Sequence, residues 1–218
     1  DNSAGVDLSD HEVNLKIAFA PLVQDGRITF EQRDPLLFEI DERVCELVTY
    51  NNDQQSQGIS VQQLKSAGRM RQWGDAIRFL VGANKIDQVV QMLPSKAVIA
   101  DRRKHGMGLT RPELARITAF AKMWIFNELS ADRGSTAPVA ERYLAYYFPP
   151  QVRQRYPEAI DGHMLRHEIV ATLWTNAVVD FAGAALLPRL SMEYGRSVAE
   201  LCQTYTFACD VLGLDDLR

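Results

Sequence analysis

Five helix-start motifs are spread along this 218-residue sequence, and they constrain its fold more than any other feature. Each is a capping box, in which a serine or threonine is followed three residues later by glutamate or glutamine, so that both residues can satisfy free amides at a helix N-terminus. The pairs are Ser9–Glu12, Thr29–Gln32, Ser60–Gln63, Thr110–Glu113 and Ser197–Glu200. Apolar residues recur at helical spacing after them, and strict two-residue alternation is absent from the sequence. The pattern predicts an all-α protein, an irregular multi-helix bundle of about eight helices.

The clearest helices lie in the middle and the C-terminal half of the sequence. Residues 108–129 contain the Thr110–Glu113 capping box and place Leu114, Ile117 and Trp124 on one broad apolar face, which is typical of a buried helix. Residues 163–181 keep helical spacing throughout, and Gly183 follows as a C-terminal stop. The first helix is expected from Asp10 to about Val23.

Polar and proline-containing stretches predict the breaks between helices. The run from Asn51 to Gly58 is polar throughout and predicts a loop, after which Ser60 would open a new helix. Pro35 is expected to interrupt a helical turn, and Gly68 and Gly74 to allow a bend. Residues 86–93 predict a short helix that ends at Pro94.

Composition excludes two classes of partner. The formal net charge is −4, without the basic stripe that nucleic-acid-binding domains carry, so we expect no nucleic acid as partner. No apolar run approaches the roughly 18 residues that would span a bilayer, so we expect no membrane association.

Cys45, Cys202 and Cys209 form neither a CxxC motif nor an even set, which favours a reducing, cytoplasmic location.

The first seventeen residues, DNSAGVDLSDHEVNLKI, are the best candidate for a site. Small, turn-forming residues run from Asn2 to Gly5, and Ser9 would cap a helix that starts at Asp10. Free amides and the helix dipole at such a start favour an anion. The alternative is a capped helix without a ligand, which is the commoner meaning of a capping box taken alone. The sequence also begins within this motif and without an initiator Met, which suggests a piece of a larger protein.

The sequence gives little support for a metal site, a hydrolase site or a nucleotide-binding site. His163 and His167 lie four apart on a predicted helix with Glu168 beside them, so a structural metal site is one interpretation and a pair of surface or hydrogen-bonded histidines is the other. We expect no metal, because a third ligand cluster is not evident in the sequence. G-x-S-x-G, phosphate-loop and G-x-G-x-x-G motifs are also absent from it.

Several motifs in order along the chain resemble one family, the large bacterial NAD-specific glutamate dehydrogenases, of which this would be the C-terminal part. The resemblance rests on the opening stretch with its DHEVN segment, on GLTRPELA from Gly108, and on YFP from Tyr147. It continues with HMLRHEIVATLWTN from His163 and GRSVAE from Gly195. The resemblance implies that residues 1–25 end the catalytic domain, as an active-site turn and the following helix, and that residues 26–218 form a C-terminal helical domain with a structural or regulatory role.

The resemblance also implies site residues and a reaction. A segment similar to NSAGVDLS closes the active site in the wider superfamily, which would place Asn2 near the nicotinamide of NAD and Val6 and Ser9 against the substrate side chain, while Gly5 lets the backbone approach a ligand. The implied reaction is oxidative deamination of L-glutamate to 2-oxoglutarate and ammonia, with hydride passing to NAD.

The resemblance also implies that essential parts of the enzyme lie outside this sequence. The catalytic lysine and aspartate and the fold that binds most of NAD would lie in an upstream catalytic domain of the same chain, so the fragment alone is expected to be inactive. A homo-oligomer is expected for the parent enzyme. The alternative is a free-standing helical interaction module without catalysis, whose opening turn holds no ligand.

Overall fold

The computed structural model describes residues 4–134 and 136–214, and this part of the chain contains helices and no strands. The helices in chain order are α1 (Ala4–Gln24), α2 (Phe30–Ser66), α3 (Met70–Gly82), α4 (Lys96–Lys104), α5 (Arg111–Ala131), α6 (Ala140–Tyr147), α7 (Pro150–Arg155), α8 (Pro157–Asp161), α9 (Arg166–Ala182), α10 (Leu186–Tyr194) and α11 (Val198–Val211). Single 3₁₀ turns precede α3 and α6. The all-α prediction is confirmed.

The chain divides into two compact units, each made of two segments. Unit 1 comprises Asp1–Gln54 and Thr136–Leu173, and unit 2 comprises Gln55–Ser135 and Trp174–Arg218. The helices α2 and α9 each begin in unit 1 and end in unit 2. The predicted division at residue 25 is not tested by these units and stays a prediction.

Each unit has its own apolar core. In unit 1, α1 and α7 both pack on α8, and the fully buried Phe19 meets the ring of Tyr156 edge-on at 5.6 Å. In unit 2, α3 packs against α4, α5 and α10, and Phe79 meets Trp124 edge-on at 4.8 Å. Buried aromatic area of this kind dominates the stabilisation of small cores.

Three of the five capping boxes form as predicted. The Thr29 amide donates to Gln32 Oε1 at 2.9 Å, and the Gln32 amide donates to Thr29 Oγ1 at 3.3 Å. Thr110 and Ser197 make the same reciprocal bonds with their glutamates at the starts of α5 and α11. The α5 cap is reinforced because Glu113 also accepts two bonds from Arg102 of α4, at 2.7 and 3.0 Å.

The other two capping boxes are not caps. Ser9 lies inside α1, which begins at Ala4, and Ser60 lies inside α2, where its hydroxyl donates to the Ser56 carbonyl at 2.9 Å. A capping serine needs extended backbone, as Ser197 has with ψ 155°. Neither Ser9 nor Ser60 can cap, because the residues before them are already helical.

The predicted loop at residues 51–58 is wrong, because α2 continues through it. Tertiary contacts hold these polar residues helical. The Asn52 amide donates to Asp7 in unit 1. In unit 2, Gly58 packs against the backbone of Asp180 so closely that a Cβ would lie 2.8 Å from its carbonyl oxygen. Such contacts override the weak preference of polar residues for loops.

The structure also differs from the prediction at Pro35 and around residues 86–93. Pro35 lies within α2 without ending it, so the helix forgoes the one bond that the missing amide would have made. Residues 87–92 form turns instead of a short helix: Asp87 Oδ1 accepts from the amides of Val89 and Val90 at 2.9 Å, and Met92 has a φ of 48°. Gly68 lies in the 3₁₀ turn between α2 and α3, where a bend was expected, whereas Gly74 lies inside α3 and does not interrupt it.

No single helix in the described ranges is long and apolar enough to cross a membrane. Only α9 and α10 taken together pass such a test by length and composition, across a bend of 94°.

Candidate functional site

The first helix, α1, has two faces with different surroundings. His11, Leu15 and Phe19 lie on its buried face. Val6 and Val13 are 56% and 52% exposed on the opposite side, and Ser9 between them is also exposed. Residues three and four apart on a helix are neighbours, so these three side chains form one exposed stripe.

The structure brings two of the predicted site residues together. Val6 and Ser9 lie one turn apart on this exposed stripe, which is compatible with a shared contact to one ligand. Asn2 lies outside the described residues. The predicted helix start at Asp10 is wrong, because α1 begins at Ala4, and Ser9 inside this helix has no capping role. Its contact with substrate stays a prediction.

Two of the acids near the stripe have partners of their own. Asp7 accepts from Asn52 Nδ2 at 2.9 Å, and Glu12 forms an exposed ion pair with Lys16 one turn further on. The positive charge of Lys16 partly offsets the negative charge that would oppose an anionic substrate near Ser9, whereas the neutral Asn52 amide only orients Asp7.

The buried face of α1 is held by a polar and aromatic cluster that the sequence analysis did not assign. The ring of His11 stacks on Tyr147, with centroids 4.1 Å apart and planes at 18°. Asn14 Nδ2 donates to the Tyr147 hydroxyl at 2.8 Å, and His163 Nε2 donates to the Asn14 carbonyl at 2.9 Å. The Leu165 amide donates to His163 Nδ1 at 3.1 Å, which fixes this ring as the neutral Nε2-protonated tautomer.

Burial keeps the cluster uncharged at neutral pH. It lowers the pKa of His11 to about 4, although the nearby Asp10 carboxylate opposes the shift. Burial also lowers the pKa of His163 and raises the pKa of Tyr147 to about 12, against the opposing hydrogen bond from Asn14. A buried charge would lose its hydration, so α1 is held by packing and neutral hydrogen bonds.

Hydrogen bonds engage both histidines that the sequence offered as possible metal ligands. His163 precedes α9, which begins at Arg166, and both of its ring nitrogens are hydrogen-bonded. His167 Nδ1 lies 2.7 Å from the Thr136 hydroxyl. Within residues 4–134 and 136–214, no group of three potential ligands gathers.

The cysteines form no disulfide in the described part of the chain. Cys202 and Cys209 are buried, and Cys45 is half-buried. Burial raises the pKa of the Cys202 thiol to about 12, which suppresses the reactive thiolate.

The cluster around α1 joins three of the sequence motifs. His11 and Asn14 come from DHEVN, Tyr147 and Phe148 from YFP, and His163 from HMLRHE; the rings of Phe148 and His163 lie 5.7 Å apart. Sequence spacing could not show this, because Asn14 and His163 are 149 residues apart. The only signal available was that all of these residues lie within the motifs that carry the family resemblance.

Two protein families match this chain, and both are glutamate dehydrogenase families, as the motifs indicate. The family described as "Glutamate dehydrogenase, C-terminal" matches residues 106–218, which is just over half of the 218 residues. The chain belongs to this glutamate dehydrogenase family. The family described as "Bacterial NAD-glutamate dehydrogenase, catalytic domain" matches residues 1–62, so this match includes all of α1 and ends inside α2.

Individual relatives extend over nearly the whole chain. It is 34% identical over 217 residues to the NAD-specific glutamate dehydrogenase of Halomonas elongata, and 34% identical over 214 residues to that of Mycobacterium tuberculosis. The protein of the same name from Pseudomonas aeruginosa is 33% identical over 214 residues. The chain spans only 13% to 14% of the length of these relatives. No solved structure matches it.

Proposed function

We propose that the chain is part of an NAD-dependent glutamate dehydrogenase, in which it supplies an active-site helix and the helical domain that holds it. The reaction is oxidative deamination of L-glutamate to 2-oxoglutarate and ammonia. The observation that carries the proposal is the double role of α1: its exposed stripe bears Val6 and Ser9, and its buried face is bonded to Tyr147 and His163 of the helical part.

The exposed stripe suits one end of glutamate. The Ser9 hydroxyl can donate to a substrate carboxylate, because a helical serine has its O–H free to rotate outward. Val6, one turn earlier, provides apolar contact for the methylene groups of the substrate. Both groups orient the substrate, which supports catalysis by placing the reacting carbon against its partner.

This chain is poorly suited to make most of the contacts that bind NAD. The exposed stripe offers one hydroxyl and apolar carbon, and the sequence has no glycine-rich phosphate-binding turn. NAD accepts the hydride when bound, and we place most of its contacts in the upstream catalytic domain of the same chain, with Asn2 as the one residue here that would approach the nicotinamide.

We also propose a cytoplasmic location and a homo-oligomeric state for the enzyme. Free thiols in the described part favour the cytoplasm. Phe38 and Leu64 are each 85% exposed on α2, and burial of such side chains against the upstream domain or a second subunit favours a homo-oligomer.

Two measurements test the proposal. The full-length protein should reduce NAD in the presence of L-glutamate, whereas the purified 218-residue chain should not, because it lacks the upstream catalytic groups. Activity in the isolated chain, or its absence from the full-length protein, would overturn the assignment.

Replacing Ser9 by alanine tests the stripe. In the full-length enzyme we expect Ser9→Ala to raise the KM for glutamate by roughly tenfold, which is the loss of about one hydrogen bond to a charged group. Ser56→Ala, at an exposed helical serine of α2, is the matched control. Unchanged glutamate kinetics in Ser9→Ala would remove this residue from the site.

A further inference from the structure

Unit 2 contains a cleft that the proposed reaction does not use. Its volume is about 250 Å³, and its walls come from the end of α2, the start of α3 and the corner between α9 and α10. The floor is fixed by the buried Gln62, whose Nε2 donates to the Gly58 carbonyl at 3.1 Å and whose Oε1 accepts from the Ala184 amide at 3.0 Å. Hydrogen bonds therefore fix the polar floor of the cleft in place.

Positive charge gathers around this cleft. Lys65, Arg69 and Arg189 line it. Lys65 and Arg69 lie four residues apart, and among the described residues no carboxylate forms an ion pair with either. Like charges at this spacing repel each other, so they favour a bound anion between them. This is notable in a chain whose formal net charge is −4.

The acid in the cleft wall does not cancel these cations. Asp180 is mostly buried and is held by Lys122 of α5, whose Nζ lies 2.7 and 2.9 Å from its two carboxylate oxygens. Arg189 has an exposed ion pair with Glu193 at 3.3 Å, further along α10. An incoming anion would meet Lys65 and Arg69 without displacing an ion pair.

The start of α10 forms one wall of the cleft through Ala185 and Leu186. Its backbone offers few free donors, because the Ala184 amide donates to Gln62 Oε1, the Leu186 amide donates to the Gly183 carbonyl at 3.1 Å, and Pro188 has no amide hydrogen. The attraction of this wall for an anion therefore comes from the Arg189 side chain.

We propose that this cleft binds a small anionic metabolite bearing at least two carboxylate or phosphate groups. Lys65 and Arg69 bind one group, and Arg189 of α10 binds the other. The volume suits a ligand of a few non-hydrogen atoms more than a dinucleotide. This inference does not depend on the dehydrogenase assignment.

Titration calorimetry on the full-length protein tests this site, with citrate and pyrophosphate as probes of the two chemistries. We expect one of them to bind, and Lys65→Gln/Arg69→Gln to weaken that binding by about tenfold or more, since two charge-assisted contacts are lost. Arg103→Gln/Lys104→Gln removes two exposed cations outside the cleft and is the matched control. The probe that binds distinguishes a carboxylate from a phosphate ligand.

A second variant separates binding from folding. Ala185→Asp places a carboxylate at the start of α10, where it favours the helix but opposes an anion in the cleft. We expect it to melt no lower than the parent protein and to lose probe binding. Equal binding in the parent and both cleft variants, or no binding of either probe by the parent, would overturn the proposal.

Discussion

Ser9 and Ser197 have the same local motif but different places in their helices. Ser197 stands before α11 and accepts from the Glu200 amide at 3.3 Å, so Ser197→Ala should lower the free energy of unfolding by about 1 kcal/mol. Ser9 lies within α1 on its exposed side, so Ser9→Ala should leave that free energy unchanged or raise it by about half a kcal/mol. Urea denaturation of both variants measures the difference. Equal losses would mean that Ser9 caps a helix after all.

His11 makes stability depend on pH below neutrality. Its folded-state pKa of about 4 lies below its ordinary value of 6.5, so between these values the unfolded chain binds a proton that the folded chain does not. Its contribution is therefore fully present above pH 6.5 and is lost as the pH falls towards 4, by at most about 3 kcal/mol. His163, whose pKa is also lowered, acts in the same direction.

Replacing His11 by phenylalanine tests this dependence. His11→Phe keeps a ring against Tyr147 but removes the titrating group, so unfolding between pH 6.5 and 4 should become less sensitive to acid than in the parent. His105→Phe, at an exposed position, is the control. An unchanged slope of stability against pH in His11→Phe would contradict a buried neutral histidine.

At the scale of elements, Gly58 shows why α2 continues where composition favours a loop. A helical glycine normally gains up to about 1 kcal/mol of stability when replaced by alanine. Here the new Cβ would lie 2.8 Å from the backbone oxygen of Asp180, so Gly58→Ala should destabilise the protein instead. Gly82→Ala, where a Cβ would meet nothing within 4 Å, is the control and should not. Thermal unfolding of both variants measures the contrast, and stabilisation by Gly58→Ala would mean that α9 does not approach α2 this closely.

The same elements show what the sequence could and could not predict. Helices with a broad apolar face, such as α5, were predictable because burial follows directly from their periodicity. The course of α2 was not, because the contacts of Asn52 and Gly58 join residues distant in sequence. Val6 and Ser9 lie together on the exposed stripe of α1, and their contact with substrate stays a prediction. The cluster on the other face of α1 could not be predicted, because it depends on the position of Tyr147 and His163 in space.

At the scale of the whole molecule, the proposed function requires helices far along the chain to hold α1 in place. The Tyr147 hydroxyl, accepting from Asn14 at 2.8 Å, is the contact that can be removed with least change of shape. Tyr147→Phe keeps the ring against His11 but leaves the Asn14 amide without this acceptor, at a cost of about 1 to 3 kcal/mol.

In the full-length enzyme, we expect Tyr147→Phe to raise the KM for glutamate by about fivefold or more, because small displacements of substrate-orienting groups are costly. Affinity for NAD should change little, since most of its contacts are proposed to lie upstream. Tyr194→Phe, at a tyrosine that is 61% exposed in unit 2, is the matched control. A loss of stability without any change in glutamate kinetics would show that the cluster stabilises the helical domain alone. A selective rise in KM would instead show that the domain positions the substrate through α1.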